Sequence, residues 1–483
     1  MAACLFQQRW GAVGTKVTLI ESSDIGIIGV GEGSTPQLKA FFDEIGITEA
    51  EWMPRCHATY KVGIAFHGWS DVAGFEQYFH PFPSDLDVHT AGDLFANARL
   101  RRHGIDAPAH PDLFFVPARL ADERRAPLAP TDFPFDCGYG YHFDAVLVGQ
   151  YLREVATARG VVHVDTKIAS VVMSDGGDVA ALVSENGQRF DADLFVDASG
   201  FRAMIIEGAL NEPHRAFADN LFNDRAVVTP TPLPSEGPGV ATRATALSAG
   251  WAWHIPLTSR IGNGYVYSSR YISDEDAAAE LRDHLGLAKD VEVRHLKMRV
   301  GRIERSWSRN CLAIGLAQGF IEPLEATALH IVLATVEGFI AAQQQPDDGA
   351  ARDAFNADIA RRYEGIRDYI VAHYRAARRS DTEYWRDATR HNHLSESLKD
   401  LFTAWFTGGD MVAEVAAQDI AQYYAPISWH CLFGGYGNYP TPVAPPPEHV
   451  RIADIARIER FVAACASHYP AHRDALARLE PVA

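Results

Sequence analysis

The spacing of apolar and polar residues changes character along the chain. Residues 16–22 form a short run of mostly β-branched and apolar side chains that ends on an acid. This pattern predicts a buried parallel strand finishing at Glu21. The residues before it, 1–11, are rich in Ala, Leu, Phe and Gln and predict a helix.

The middle of the chain predicts further strands. Residues 161–173 and 179–185 alternate between apolar and polar positions on either side of Gly176-Gly177, which indicates a hairpin. The sequence Asp193-Leu-Phe-Val-Asp-Ala-Ser-Gly200 then predicts a buried strand that ends in a tight turn.

Helical spacing dominates from residue 326 onward. The predicted helices cover 326–342, 351–380, 412–423 and 450–467, and the proline-rich stretch from Tyr439 to Pro447 predicts a linker or surface loop. The chain is therefore expected to be an α/β protein: a Rossmann-like nucleotide-binding body with an interleaved β-sheet over 1–335, and a mainly helical C-terminal part over 336–483.

An acid at the end of a buried strand is typical of dinucleotide-binding folds, where it accepts hydrogen bonds from a ribose. Glu21 is the candidate. A glycine-rich loop that holds the pyrophosphate normally lies before the preceding helix. Since the sequence begins inside that helix, we expect the loop to be missing from it; a misassigned start and a genuine truncation both remain open.

Charge and composition exclude several classes of protein. The chain carries 44 basic and 62 acidic residues, a net charge of −18, and has no long basic run. Nucleic acid is therefore not expected as a partner. Six cysteines stand far apart, so neither a metal site nor a disulfide scaffold is predicted. Without an apolar run of about 20 residues or a signal peptide, we expect no membrane span and a cytoplasmic location.

Two segments combine glycine or lysine with apolar neighbours. In Gly29-Val-Gly31-Glu-Gly33-Ser34-Thr35-Pro36, alternating glycines let the backbone approach a flat ligand, although a plain helix-entry loop has the same composition. Lys61 lies in the apolar stretch Tyr-Lys-Val-Gly-Ile-Ala-Phe. Burial would lower the pKa of such a lysine and make it a donor or nucleophile, but most lysines remain in solvent.

Three further segments offer aromatic walls or an anion site. In a strand, Trp251, Trp253 and Ile255 share one face, as core residues also do. From Gly315 to Ala328, glycines and two glutamates precede a helix whose N-terminal amides could hold a halide; a capped helix with acidic residues in its first turn looks similar. The loop Tyr78-Phe-His80-Pro-Phe82 could stack on a planar substrate.

Taken together, these segments resemble the flavin-dependent tryptophan halogenase family over about residues 1–335. The glycine loop, the lysine segment, the W-x-W-x-I-P motif at Trp251–Pro256 and the P-L-E segment at Pro323–Glu325 follow each other in the family's order. Similar matches occur at Tyr141–Asp144, Asp197–Arg202 and Asn223–Ala226. The combination of W-x-W-x-I-P with the lysine is more specific than any single glycine motif.

The resemblance implies FAD, supplied as FADH2 by a separate NADH-dependent flavin reductase, together with O2 and a halide. The product, hypohalous acid, would travel through a tunnel to an aromatic substrate. Lys61 would hydrogen-bond the hypohalous acid or carry the halogen as a haloamine, and Glu325 would orient the electrophile or take the ring proton. The tryptophans would keep an organic substrate away from the flavin, which argues against a hydroxylase.

Residue by residue, the motifs assign four kinds of site. Catalysis is assigned to Lys61 and Glu325, cofactor binding to Glu21, Gly29, Gly31, Ser34, Thr35, Pro36, Asp197, Gly200, Trp251, Trp253 and Gly315, halide binding to Thr327 and Ala328, and the substrate pocket to His80 and Phe82.

Two departures from the family pattern bear on the substrate and the halide. Many members have S-T-G after the glutamate, where this chain has Ala326-Thr327-Ala328. The choice between chloride and bromide is therefore open. No clear counterpart of the family's clamp for an amino-acid group exists near Ser428 or Gly434–Gly437, which favours indole or another electron-rich arene over free tryptophan. A flavin-dependent hydroxylase and a non-catalytic flavin-binding protein remain alternatives, and a homodimer is compatible with the sequence.

Overall fold

The computed structural model of the protein describes residues 1–26, 32–346, 349–440 and 451–479. Within these ranges the strands are β1 Thr18–Glu21, β2 Glu32–Gly33, β3 Thr59–Lys61, β4 Gly63–His67, β5 Gln77–Pro81, β6 Gly140–Phe143, β7 Val162–Asp165, β8 Ile168–Met173, β9 Val179–Ser184, β10 Arg189–Asp191, β11 Phe195–Asp197, β12 His214–Ala216, β13 Arg225–Thr231, β14 Ala241–Leu247, β15 Gly250–Pro256, β16 Ile261–Tyr267, β17 Arg294–Lys297, β18 Gly301–Ile303, β19 Trp307–Ser308, β20 Cys311–Ala313 and β21 Gly319–Phe320.

The helices in the same ranges are α1 Ala2–Trp10, α2 Gln37–Glu44, α3 Glu49–Trp52, α4 Ala91–Arg102, α5 Val116–Asp122, α6 Ala145–Ala158, α7 Asp274–Leu285, α8 Ala328–Ala342, α9 Ala350–Ala376, α10 Glu383–Arg390, α11 Glu396–Phe406, α12 Met411–Ala417, α13 Pro426–Gly435, α14 Ile455–His468 and α15 His472–Ala477. In the described part of the chain, no helix is long and apolar enough to cross a membrane.

A seven-stranded sheet forms the centre of the fold, in the order β17-β13-β16-β15-β14-β4-β5. All neighbours are antiparallel except β14 and β4, which run parallel. The alternation of side chains along β15 puts Trp251, Trp253 and Ile255 on one face, as predicted. Cross-strand pairing brings Phe66 and Gly264 onto the same face, level with Trp253.

Smaller sheets surround the central one. The predicted nucleotide-binding part is the region around β1, β7, β11 and β20. It contains the parallel pairs β1–β7 and β11–β20, and its helix α1 packs against α6 and α8. Strands β2, β6 and β3 form a three-stranded antiparallel sheet that ends at Lys61. Helix α8 runs across residue 335, so the body and the helical part share one continuous helix.

The C-terminal part is built on α9, whose 27 residues contact α8, α10 and α13. Seven consecutive side chains, from Asp368 to Tyr374, are buried. A helix that is buried on all sides lies inside the protein instead of on its surface. The last turns of α9 therefore belong to the core and can present polar groups to it.

Most predicted elements near the nucleotide-binding part are confirmed. Helix α1 and strand β1 lie where the pattern predicts them, and β8 pairs with β9 as an antiparallel hairpin. The single strand predicted over 161–173 is wrong, because the chain changes sheets at Thr166. Strand β7 pairs with β1, whereas β8 pairs with β9, and alternation alone does not identify the partner strand.

The helical part follows the prediction less closely. Helices α8, α9 and α14 correspond to predicted ones, but α12 ends at Ala417 instead of residue 423, and Asp419 has a left-handed backbone with φ of 54°. Helices α10, α11 and α13 were not predicted. Most of the proline-rich stretch lies outside the described residues.

Gly264 gives room to the indole ring of Trp253. A Cβ atom on Gly264 would lie 2.1 Å from the Cζ2 atom of that ring. We expect Gly264→Ala to lower the free energy of unfolding by about 1–3 kcal/mol, because the ring must move. Thermal unfolding checks this.

Gly92→Ala is the matched control. Gly92 lies in α4 with nothing within 4 Å of the added Cβ, so this change should stabilise the protein by about 0.5–1 kcal/mol. Equal effects of the two changes would contradict the packing described for Trp253.

Candidate active site

A large cavity of about 560 Å³ lies between the nucleotide-binding part and the central sheet. Its walls include Glu21, Gly33, Lys61, Trp251, Trp253, Ile314, Phe320 and Ala326. The cavity extends from the end of β1 to the lysine at the end of β3. Mostly apolar walls with a few charged groups are typical of a cofactor site.

Lys61 is buried, with 1% of its surface exposed, and its side chain reaches the cavity. Its ammonium lies 5.2 Å from the centre of the Phe82 ring and, among the described residues, has no hydrogen-bond or salt-bridge partner. Burial lowers the pKa of Lys61 to about 7, although the charge of Glu325 acts in the opposite direction. The amine therefore changes protonation state near neutral pH.

Glu325 is a buried carboxylate held by two imidazoles. His80 Nδ1 lies 3.1 Å from each carboxylate oxygen, and His373 Nε2 lies 3.0 Å from Oε1. Burial by itself would raise the pKa of Glu325, but the charge of His80 and the hydrogen bonds from both histidines lower it to about 2. Glu325 thus remains ionised inside the protein.

His373 was not identified from the sequence. It lies on α9 with no exposed surface, stacked on Phe66 with ring centres 4.6 Å apart. Burial lowers the pKa of His373, which keeps the imidazole neutral. Because the carboxylate of Glu325 can only accept, Nε2–H donates to it and Nδ1 accepts from the Tyr436 hydroxyl at 2.8 Å. The sequence did offer one indication of a buried His373, since this histidine stands in a run of mostly apolar residues within a predicted helix.

Trp251 and Trp253 form one wall of the cavity, with ring centres 6.2 Å apart. The structure therefore brings together several of the residues singled out from separate motifs: the two tryptophans, Lys61 with Phe82, and Glu325 with His80. His80 bonds to Glu325 directly, a contact that the sequence did not indicate.

Only some of the predicted cofactor residues line the cavity. Glu21 lines the cavity at the end of β1, and its Oε1 accepts from Arg153 at 3.0 Å and from His163 at 2.9 Å. Ser34 exchanges hydrogen bonds with Tyr141, linking β6 to the turn before α2, where Thr35 and Pro36 lie. Glu32 and Gly33 line the cavity in their place. Gly29 and Gly31 lie outside the described residues.

Asp197 does not face the cavity. Its carboxylate accepts from Ser199 N and Oγ and from the amides of Ile205 and Ile206 at 2.6–3.0 Å, so it holds the turn after β11. Ala198 and Phe201 line the cavity there. Gly200 and Gly315 are turn residues with φ of 71° and 59°, and they permit the backbone bends next to the cavity.

The start of α8 lies at the cavity. Ala328 lines it, together with Ala326, which has a left-handed backbone with φ of 56°. Thr327 is buried and comes directly before the first helical residue. The free backbone amides of a helix N-terminus favour an anion at such a position.

The cavity fits a dinucleotide cofactor with a flat ring. Glu21 lies at the strand end where a ribose is expected, the first residues of α1 border the cavity, and Lys61, Trp251 and Trp253 belong to the same lining. The lining is otherwise largely apolar, which suits a flavin ring.

Comparison with known proteins identifies the family of the chain. The tryptophan halogenase family model matches residues 1–451. The 7-chloro-L-tryptophan 6-halogenase KtzR of Kutzneria sp. (strain 744) is 35% identical, over 96% of this chain and 94% of the relative. Tryptophan 6-halogenase SttH of Streptomyces toxytricini is 34% identical, over 92% of this chain and 88% of the relative.

Solved structures agree as well. The crystal structure of SttH superposes with a TM-score of 0.83 at 31% identity, covering 99% of this chain and 96% of that one. BrvH, a flavin-dependent halogenase from Brevundimonas sp. BAL3, gives a TM-score of 0.83 at 32% identity with the same coverage. The expected α/β body with a helical C-terminal part is thereby confirmed. The chain belongs to the tryptophan halogenase family of flavin-dependent oxidoreductases.

Proposed function

We propose that this enzyme uses FADH2, O2 and a halide to make hypohalous acid and transfers the halogen to an electron-rich arene such as indole. The observation that carries the proposal is a buried lysine, Lys61, beside the anion of Glu325 and facing a cavity walled by Trp251 and Trp253. Family membership supports the flavin and the aromatic substrate. A flavin reductase would be a transient partner.

A reduced flavin held in the cavity would supply two of the four electrons that O2 accepts, and the halide would supply the other two. One oxygen atom would leave as water and the other would end in hypohalous acid. Lys61 would hold this acid by a hydrogen bond or carry the halogen as a haloamine. A pKa of about 7 makes both the ammonium and the amine available. A fixed polar group in a dry cavity orients a reagent that is otherwise indiscriminate.

Glu325 would take the proton that the ring loses. The arene would attack the halogen while the ammonium of Lys61 gives a proton to the departing hydroxide, which leaves as water. The ring would then give up one proton. A halogenated ring cation is so acidic that a weak base suffices, which is consistent with the low pKa of Glu325. His80 and His373 hold the carboxylate in place for this step.

The halide and substrate assignments are also part of the proposal. The halide would bind at the start of α8, near Thr327 and Ala328. Apart from Glu325, the side chains around His80 and His373 include neutral aromatics: Tyr369 stacks on Tyr424 with ring centres 3.5 Å apart, and Trp429 meets Tyr369 edge-on. These rings suit an uncharged arene better than an amino acid.

The assay that tests the function measures product mass. The protein is incubated with FAD, a flavin reductase, NADH, O2 and indole, with bromide or chloride in separate reactions. We expect a singly halogenated indole with the halogen's isotope pattern, and no such product with Lys61→Ala, which should still bind flavin. A hydroxylated product formed without halide would instead identify a hydroxylase, and full turnover by Lys61→Ala would exclude the lysine mechanism.

Glu325→Gln should slow halogenation at least tenfold, because the amide cannot take a proton and has only one oxygen to accept from the two histidines. The rate under saturating indole and the flavin affinity are both measured. Lys399→Met, a change at an exposed position, is the control and should not alter the rate. A rate within twofold of the wild type would remove Glu325 from the mechanism.

Burial of Lys61 also predicts how stability depends on pH. The pKa is about 7 in the folded protein and 10.5 for an ordinary lysine, so the unfolded chain binds more protons between these values. The free energy of unfolding of the wild type, relative to that of Lys61→Met, should therefore rise by about 1.4 kcal/mol per pH unit from pH 7 toward pH 10. Below pH 7 the difference between the two proteins should stay constant. Thermal unfolding at several pH values measures this, and parallel curves for wild type and Lys61→Met would contradict it.

A further inference from the structure

Three residues before Glu325, a second glutamate lies completely inside the protein. Glu322 has no exposed surface. Its Oε2 accepts three hydrogen bonds: from Trp251 Nε1 at 3.0 Å, Asn223 Nδ2 at 2.9 Å and the Tyr374 hydroxyl at 2.5 Å. Among the described residues, its other oxygen has no partner. The halogenation mechanism proposed above does not use this residue.

Burying a carboxyl group is costly unless donors surround it. Burial raises the pKa of Glu322, while the bonds from Trp251, Tyr374 and Asn223 act in the opposite direction. The three donors come from three separate segments and converge on Oε2 alone. An amide at this position would bring two donor hydrogens of its own into the same cluster.

Two consecutive residues of α9 hold the two glutamates. His373 donates to Glu325, and Tyr374 donates to Glu322. Between the glutamates lies only the short turn of Pro323 and Leu324. Helix α9 thus fixes both ends of this turn. The Glu322 end also accepts a hydrogen bond from Trp251 in the wall of the cavity.

The two wall tryptophans are held in different ways. Trp253 has a buried Nε1 without a partner among the described residues and is located by packing on Gly264. Trp251 has a hydrogen bond from its Nε1 to Glu322. That bond fixes the rotation of the Trp251 ring, which borders the cavity.

We propose that Glu322 is a positioning residue that holds Trp251 in the wall of the cavity that Lys61 also lines. The inference rests on the halogenase function proposed above. With the wall in place, each reduced flavin and O2 convert one halide and one arene into one halogenated arene. With a loosened wall, more of the two-electron reduction of O2 ends as hydrogen peroxide, and less halogenated product forms.

The first test measures coupling. Halogenated indole and hydrogen peroxide are quantified per reduced flavin oxidised, in wild type, Glu322→Gln, Tyr374→Phe and Trp251→Phe. We expect each variant to lower the product yield per flavin three- to tenfold with a matching gain in peroxide, while flavin affinity changes less than twofold. Adding Glu322→Gln to Trp251→Phe should cause little further loss, since the two act through one bond.

Tyr363→Phe is the matched control. Tyr363 is also a buried tyrosine of α9, but its hydroxyl donates to Gln318 at 3.2 Å and does not contact Glu322. The Tyr363→Phe variant should keep the wild-type yield of halogenated product per reduced flavin. Wild-type coupling in both Glu322→Gln and Tyr374→Phe would overturn the proposal, as would an equal loss in Tyr363→Phe.

A second test does not depend on activity. The nine tryptophans are replaced by 5-fluorotryptophan, and the 19F resonance of Trp251 is assigned from its loss in Trp251→Phe. We expect this resonance to shift or broaden in Tyr374→Phe and to stay unchanged in Tyr363→Phe. An unchanged Trp251 resonance in both would overturn the positioning role. If wild type makes no halogenated product but the resonance shifts as expected, the proposed function fails and the anchoring of Trp251 stands.

Discussion

The ionised side chain of Glu325 inside the protein is the interaction on which the site depends. A buried carboxylate is stable only when charges or donors surround it, and here two imidazoles do so. One comes from β5 and the other from α9, segments separated by almost 300 residues. The helical C-terminal part therefore contributes to the candidate active site, because without its histidine the carboxylate would lose one of its two donors.

Lys61 depends on the same arrangement. Burial makes its ammonium costly, and the anion of Glu325 offsets only part of that cost, which leaves the pKa near neutrality. A surface lysine would remain charged, and a lysine in a tight salt bridge would be held charged as well. Burial together with a nearby but unbonded carboxylate leaves Lys61 with both its charged and its neutral form populated near pH 7.

The glutamate pair separates two tasks within one turn. Glu325 accepts from the two histidines and its charge acts on Lys61, whereas Glu322 accepts from Trp251 in the cavity wall. Helix α9 reaches both through adjacent side chains. A helix whose last turns are buried on all sides can serve in this way, since its polar groups must find partners in the interior.

The sequence by itself determined the fold class, the first helix and strand and the hairpin. It singled out Lys61, Glu325, Trp251 and Trp253 as candidates, because each belongs to a local motif or a simple period. The sequence could not show that β7 and β8 belong to different sheets, nor that the carboxylate of Asp197 caps a turn. Both depend on partners that are distant along the chain. Only the tertiary structure brought His373 and Glu322 into the site. A histidine or glutamate in an apolar stretch has the same sequence signature whether it bonds a catalytic group or a structural one, and the difference is a matter of which distant atoms lie within about 3 Å.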